Sequence, residues 1–342
     1  MVDMVTSILE EYSSYTDGQM KKMFQTRRKV GRLYDMMRYH LGWLDDQFDD
    51  CKAPRGKSLR STMCLLSCEA VCNDYNKALP AASAVELLHN FTLIHDDIED
   101  GDDKRRHRDT LWKLWGVPQA INTGDAMDIV ANLSLLQLNG SIKPEMMVEI
   151  MGLFNETVIE LCEGQYLDMD FQNRESVGVS EYITMISGKT AALIEASTAI
   201  GAMVATDDRD VIDRFKIFGR KIGIAFQIRD DILGIWGDPE STGKSAKNDI
   251  RNKKKSLPVI YAMEKSPKRE ELKRIYAKER LSDADIARVF DILTEAGALE
   301  YTQGEAQRYK DEALGQFKGL KLHNAPMDKL MSIALFLVER DY

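Results

Sequence analysis

The sequence lacks a membrane span: no apolar run approaches the roughly 18 residues that crossing a bilayer requires. It also lacks the basic start and apolar core of a signal peptide, since Asp3, Glu10 and Glu11 stand near its beginning, and a cytoplasmic protein is expected. Positive charge is not in excess. Lys and Arg number 46 against 55 Asp and Glu, a net charge of −9 that argues against nonspecific nucleic-acid binding. Cysteines are few, and an odd count of five without a secretory signal indicates reduced thiols rather than a disulfide framework. Cys64, Cys68 and Cys72 repeat every fourth residue and would line one helix face. Without tighter pairs or His partners, core packing is favoured over a metal or redox site. Cys51 and Cys162 stand alone. Absent too are persuasive strand alternation, internal repeats, and any linker or low-complexity stretch.

What is present is a helical pattern. The chain has 342 residues, 44% of them hydrophobic, enough for a large core. Apolar residues recur at helical spacing, as in Val85, Leu88, Phe91 and in Ile183, Ile186, Ala191, Ile194. Breaks fall near 54–56, 74–77, 101–109, 140–144, 173–180, 207–208, 237–243 and 266–267, which predicts many helices joined by short loops. An all-α fold in a single domain, 1–342, is expected. Within it, 1–50 would be peripheral helices, 55–260 the part bearing motifs, and 261–342 the C-terminal helices.

The acids are the most informative part. Asp96-Asp97-Ile98-Glu99-Asp100 is answered about 130 residues later by Asp230-Asp231 in a second apolar helical pattern. Asp96 and Asp100 stand four apart, so on a helix their like charges lie one above the other and repel. The preceding Leu87, Leu88, Phe91, Leu93 and Ile94 imply largely apolar surroundings, where unpaired carboxylates are costly. Taken alone, 96–103 also fits a solvated acidic helix end. With the second cluster, one polymetal site is the better reading. Mg²⁺ suits it, since that ion takes one or two carboxylates and fills its shell with water and phosphate oxygens. No EF-hand spacing supports calcium, and zinc is disfavoured.

Cations follow immediately. Lys104, Arg105, Arg106, His107 and Arg108 cannot lie far from the aspartates, and Arg presents a planar fork suited to phosphate oxygens. Upstream, Gly56-Lys57-Ser58-Leu59-Arg60 puts two more cations three apart at the head of an apolar helix, where free N–H groups favour anions. Its spacing is not that of a P-loop. The pattern reads as a clamp for metal and diphosphate.

These residues resemble the trans-isoprenyl diphosphate synthases, or polyprenyl synthetases. The first aspartate-rich motif matches Asp96–Asp100, the arginine pair Arg105-Arg106, the isopentenyl-diphosphate motif Gly56-Lys57 with Arg60, and the helix-break motif Gly188-Lys189-Thr190. The second aspartate-rich motif matches Phe226-Gln227-Ile228-Arg229-Asp230-Asp231, followed by Gly237-Asp238-Pro239, Gly243-Lys244 and Lys253-Lys254-Lys255. The resemblance runs from about residue 55 to about 260. It implies an isoprenoid-synthase-type helical bundle around a deep central cavity, a homodimer, and Mg²⁺ bound as three ions with the substrate diphosphate. Asp96, Asp100 and Asp230 would be direct ligands, with Asp97 and Asp231 supporting. Arg105, Lys189 and Lys244 would hold an allylic diphosphate (dimethylallyl, geranyl or farnesyl). Lys57, Arg60, His89 and Arg106 would hold isopentenyl diphosphate, and Lys254 would close over the diphosphate. Thr190 and Gln227 would offer oxygens to the cationic carbon, against the plainer role of bridging backbone at a helix break. His89 lies two turns before Asp96 on one face, yet only the family pattern raises it above an ordinary core histidine. His95 and His107 keep the ordinary reading, and Lys253 and Lys255 fit solvated charge.

Three positions depart from the common pattern: Gly234 replaces the last carboxylate of the second motif, Ser58 a frequent Arg, and Asp109 a frequent Pro. Product length in the family is limited by bulk below the first motif, here Leu88, Phe91 and Thr92. One aromatic paired with a small Thr resembles C20 makers, which predicts geranylgeranyl diphosphate, with farnesyl diphosphate the alternative. A class I terpene cyclase would need neither Lys57 and Arg60 nor a second Arg at 106. A noncatalytic subunit would typically lose aspartates that are kept here.

Overall fold

The computed structural model describes residues 2–25, 30–54, 56–237 and 247–339, and 79% of it is helical. The all-α expectation therefore holds. Among the described residues the strands are two-residue pieces, β1 (Lys104–Arg105) and β2 (Arg108–Asp109), paired antiparallel as a hairpin with Lys104 opposite Asp109. The chain divides into two compact units: residues 1–153, 197–212 and 321–330 form the first, and 154–196, 213–320 and 331–342 the second. Four of the five divisions fall inside helices, and the fifth, at 320/321, falls in the stretch before the last helix.

The first unit begins with α1 (Val2–Gln25), whose buried Val5, Ile8, Leu9, Tyr12, Thr16, Met20, Met23 and Phe24 recur at helical spacing and give it one apolar stripe. That stripe packs on α3 (Leu59–Cys72) and α4 (Leu79–Glu99), with α2 (Gly31–His40) between α1 and α3 in sequence. Residues Ser61 through Cys68 of α3 are all buried, the mark of a helix enclosed on every side. Its Cys64 and Cys68 are buried free thiols and Cys72 is half-buried, as core packing requires. The helix α4 starts with Pro80 in its first turn, where a missing N–H costs nothing, and lies along α6 (Val117–Leu135) beyond the short α5 (Leu111–Trp115).

The end of α4 is specified by one glycine. Gly101 has φ +67°, and the N–H groups of Gly101 and Asp102 bond the carbonyls of Ile98 and Asp97 at 3.3 and 3.0 Å, a Schellman closure. The helix therefore stops on its own acidic cluster.

The second unit contains most of α7 (Pro144–Asn173), α8 (Val179–Ile186), a π-turn (Ser187–Ala191), the start of α9 (Ala192–Ala205) and most of α10 (Arg209–Trp236). After it come α11 (Asn248–Arg251), α12 (Leu257–Lys265), α13 (Arg269–Tyr276), α14 (Asp283–Glu295), α15 (Ala298–Leu314) and part of α16 (Asn324–Glu339). Ile235, Ile250, Val259, Leu272, Val289, Ile292 and Leu293 form a buried core among these C-terminal helices.

Candidate active-site clusters

In the first unit, Asp96, Asp97, Glu99 and Asp100 occupy the last turn and cap of α4, where orphan carbonyls already concentrate negative potential. Acids here are at the wrong end of the helix dipole, so a cation is called for. Asp97 has one within the chain: its side chain is 2% exposed, and Arg105 on β1 donates through Nε to its Oδ1 at 2.6 Å. Burial pushes the Asp97 carboxyl up to about 6 against the pull of Arg105. Asp97 is thus turned inward, while Asp96 is half-buried and Asp100 exposed at the helix end. Two carboxylates one turn apart match the donor set Mg²⁺ takes from protein, with water and phosphate completing the shell. Among the described residues no three His, Cys, Asp or Glu side chains converge as an all-protein metal cage.

The basic run after α4 splits into distinct roles. Arg108 donates to the carbonyls of Tyr39 and Leu44 at 2.8 and 2.6 Å and lies over the Tyr39 ring, so it ties the hairpin to α2. Arg106 and His107 form the hairpin turn with φ of 52° and 66°. The turn aims Arg106 at Gly56: a Cβ built on Gly56 would lie 2.5 Å from Arg106 Nη2, so any larger residue there would displace the guanidinium. Two residues on, Ser58 caps α3 in a left-handed conformation. Arg60 then meets His89 of α4, Nη1 to Nε2 at 3.2 Å. Burial lowers Arg60 to about 10, and burial with Arg60 and Arg106 nearby holds His89 well below the usual imidazole range, so its neutral ring accepts the Arg60 N–H. Arg60 Nε and His40 Nε2 are enclosed without a hydrogen-bond partner among the described residues. Burial and Arg106, Arg105 and Arg108 likewise hold His40 neutral. Lys57 is exposed at the same segment. The structure thus brings Arg60 against His89 and sets the unforeseen His40 among Arg105, Arg106 and Arg108, with unsatisfied polar atoms on Arg60 and His40, which suits a polyanion.

Further along α4, Leu88 is fully buried, Thr92 donates its hydroxyl back to the His89 carbonyl at 2.8 Å, and Phe91 packs edge-on against His95 at 4.9 Å. Leu88, Thr92 and Asp96 are spaced by four and share a face, whereas Phe91 and His95 share another.

In the second unit the acids lie near helix ends and the cations are paired with them. Lys189 donates to Asp168 of α7 at 2.5 Å from within the π-turn, and Thr190 donates to Gln227 Oε1 of α10 at 2.8 Å. The turn is pressed onto α7 through two glycines: a Cβ on Gly164 would lie 2.1 Å from Lys189 N, and one on Gly188 2.5 Å from the Glu160 carbonyl oxygen. What reads in sequence as a helix break is a π-turn in a continuing helix, a feature frequent at functional sites.

Asp231 is fully buried and saturated. It accepts from Tyr182 Oη at 2.5 Å, the Leu257 N–H at 2.9 Å, Lys254 Nζ at 3.0 Å and Gln227 Nε2 at 3.4 Å. Burial and Asp231 raise the Tyr182 hydroxyl well above its ordinary value. Burial alone would lower Lys254, but Asp231 and Asp249 more than offset it, leaving its ammonium strengthened. Asp249 also stands 3.6 Å from Lys254 and fills the space beside Gly234, where a Cβ would lie 2.3 Å from Asp249 Oδ2. Asp230, the neighbour of Asp231, is half-buried on α10. Lys253 and Lys255 are not simply solvated: they donate to the carbonyls of Lys278 and Phe171 at 2.7 and 2.5 Å. Lys244, with Asp238, Pro239 and Gly243, lies outside the described residues.

Sequence reading missed Asp168, Tyr182, Asp249 and His40. Asp168 had one usable signal, an acid among Tyr166, Leu167, Met169 and Phe171. The others are set by contacts between distant segments.

The polyprenyl synthetase family model matches residues 42–293. A (2E,6E)-farnesyl diphosphate synthase of Mycobacterium bovis is 35% identical over 325 residues, covering 92% of this chain and 89% of that one. A geranylgeranyl diphosphate synthase of Mycobacterium tuberculosis is 37% identical over 314 residues, covering 91% and 87%. Among solved structures, a geranylgeranyl pyrophosphate synthetase from Pyrococcus horikoshii superposes with a TM-score of 0.88 at 33% identity over 99% of both chains. A match of this extent, over the segment that carries both aspartate pairs and the Gly56–Arg60 cations, means that the chain belongs to the polyprenyl synthetase family.

Proposed function

We propose that this prenyltransferase condenses isopentenyl diphosphate with allylic diphosphates, head to tail, to a short trans-prenyl diphosphate, with geranylgeranyl diphosphate the main product. The observation that carries the reading is in the first unit alone: Arg60 meets His89 at 3.2 Å and Arg106 lies against Gly56, cations additional to the Arg105 that pairs with Asp97 at the acidic end of α4. A cyclase handling one diphosphate has no use for those additional cations.

In this reading Lys57, Arg60, His89 and Arg106, with His40 behind them, hold the diphosphate of isopentenyl diphosphate, and neutral His89 directs the Arg60 fork. Arg105, Lys189 and Lys244 hold the allylic diphosphate. Asp96, Asp100 and Asp230 would hold Mg²⁺, with Asp97 and Asp231 positioned behind them; bound there, the ions would neutralise charge growing on the departing diphosphate. The allylic C–O bond breaks and releases diphosphate, the isopentenyl double bond attacks the resulting carbon to form the new C–C bond, and the new chain loses a proton to the released diphosphate. Thr190, its hydroxyl fixed on Gln227, keeps its lone pairs toward developing positive charge. Lys254, with its raised proton affinity, stays charged to meet the diphosphate.

Thr92 and Leu88 share the Asp96 face, and Thr92 bends its hydroxyl to the backbone, so that face offers a growing chain no aromatic floor. This supports C20 over C15. The reading carries with it one catalytic domain, a homodimer and a cytoplasmic location. Incubation with isopentenyl diphosphate, Mg²⁺ and each of the C5, C10 and C15 allylic diphosphates tests it by product chromatography. Geranylgeranyl diphosphate is expected. A cyclic hydrocarbon or no product overturns the reaction, a C15 product overturns the length, and Thr92→Phe should shorten the product.

A further inference from the structure

One charged group in the second unit belongs to neither cluster and frames the π-turn. Arg220 on α10 directs its guanidinium at three elements. Its Nη1 donates to the Ser187 carbonyl at 2.9 Å, its Nη2 to Glu160 Oε2 of α7 at 2.7 Å, and its Nε to Glu195 of α9. Ser187 opens the π-turn, and its carbonyl also accepts the Ala192 N–H, the i to i+5 bond that makes the turn a π-turn. Glu195 lies one turn beyond, 5% exposed, with Lys216 3.7 Å away as a second cation. Glu160 belongs to the segment of α7 whose backbone presses on Gly188. One fork therefore grips the carbonyl that closes the turn, the helix that leaves it and the helix it rests on.

Two physical points make this more than a buried ion pair. Such a pair seldom adds net stability over apolar residues of the same volume, so its presence here is better read as geometric. And a π-turn inserts one residue into the helix; if it relaxed to α-helical winding, the side chains after Ser187 would rotate by about 100° relative to α8. Lys189 would then leave Asp168, and Thr190 would leave Gln227.

We infer that Arg220 is a positioning residue, which holds the Ser187–Ala191 turn in its π winding and thereby aims Lys189 at the allylic diphosphate and Thr190 at the developing positive charge. The second half of this rests on the function proposed above; the first does not. Arg220→Lys keeps a charge for Glu195 but loses the fork. It is expected to speed hydrogen–deuterium exchange of the amides in 187–195, including Ala192, with little change elsewhere. In steady-state assays it should raise the allylic KM and lower kcat by on the order of tenfold, while the isopentenyl KM moves less than about twofold. In a Lys189→Ala background the same change should add nothing further to the allylic KM. Should Arg220→Lys fold poorly, Arg220→Met with Glu195→Met removes both charges and is read the same way. Unchanged exchange in 187–195 overturns the inference, as do equal rises in both KM values that add to those of Lys189→Ala. Faster exchange in a protein whose wild type makes no prenyl diphosphate leaves the winding role standing and removes the reaction.

Discussion

In the first unit the buried cationic groups are pushed toward their uncharged forms, Arg60 down to about 10 and His89 well below the imidazole range. In the second the shifts run the other way: Lys254 is raised, and the Tyr182 hydroxyl is held protonated beside Asp231. A site that weakens its own cations wants an anion, and one that strengthens them is already rich in negative charge and wants more cations. In the first unit the acidic end of α4 and the arginines of the hairpin meet, since Asp97 shares one cleft with His40, Arg105 and Arg106. The second pairs Lys189 with Asp168, Lys254 with Asp231 and Arg220 with Glu195, although Lys255, which donates to the Phe171 carbonyl, is lowered by burial. In the proposed reading the Arg60 group would take substrate phosphate, while the paired acids and cations of the second unit would take both metal and diphosphate.

The hardest test removes the acids. Asp96→Ala and Asp230→Ala should each cut kcat by at least about a hundredfold, the range for losing a group that stabilises transition-state charge. The fold should survive, because neither side chain is core, and losing a repelling carboxylate from the end of α4 can raise the melting temperature. Removing divalent metal with EDTA should silence the wild type as fully. Near-normal turnover by Asp96→Ala in saturating Mg²⁺ would end the metal assignment.

Next in size is Arg60→Ala, which acts on the anion pocket. Losing a charge-assisted contact worth about 1.5–3 kcal/mol should raise the isopentenyl KM by roughly 10- to 150-fold and leave the allylic KM nearly unchanged. Equal rises for both substrates would erase the distinction between the two clusters.

These residues were legible in sequence because their signal is local. Four-residue spacing places Asp96 over Asp100, Gly101 ends the helix, and the basic run follows within one hairpin. Breaks near 54–56, 101–109, 173–180 and 266–267 all coincide with interruptions between helices. The rest depends on contacts between distant segments. Nothing local shows that Gly188 continues a helix as a π-turn because Gly164 lies against it, or that Lys255 donates to the Phe171 carbonyl rather than facing water. His40 reads as one polar residue on an amphipathic helix until the hairpin folds three arginines around it.

Gly234 is the instructive case, and its test is smaller in effect. In sequence it is a missing carboxylate, which invites its restoration. In the structure Asp249 fills that space, so the Cβ of Gly234→Asp would meet Asp249 Oδ2 at 2.3 Å, and two acids would crowd beside Asp231. Overpacking of this kind typically costs about 1–3 kcal/mol. Gly234→Asp should therefore melt several degrees lower and turn over more slowly. An unchanged melting temperature with faster turnover would mean that Asp249 does not occupy the place.

The smallest effect is a pH dependence in which two histidines and one carboxyl of the first unit act with opposite signs. His89 has a folded pKa below its unfolded value of about 6.5, so below that pH the unfolded chain binds more protons and folding is progressively weakened. The contribution is intact above about pH 6.5 and is lost as pH falls from there toward the folded value. His40 acts in the same direction. Asp97, raised to about 6, opposes them: the folded state binds its proton more tightly, so lowering pH from about 6 toward 4 favours folding. The net slope of the wild type thus mixes both signs, and a difference isolates His89. Between pH 7.5 and 5.5 the melting temperature of His89→Gln should fall by less than that of the wild type, since glutamine keeps a polar partner for Arg60 and takes up no proton. Identical slopes for the two proteins would show that His89 is charged or exposed in the folded state, and the reading of the first unit as a pocket that weakens its own cations would fail with it.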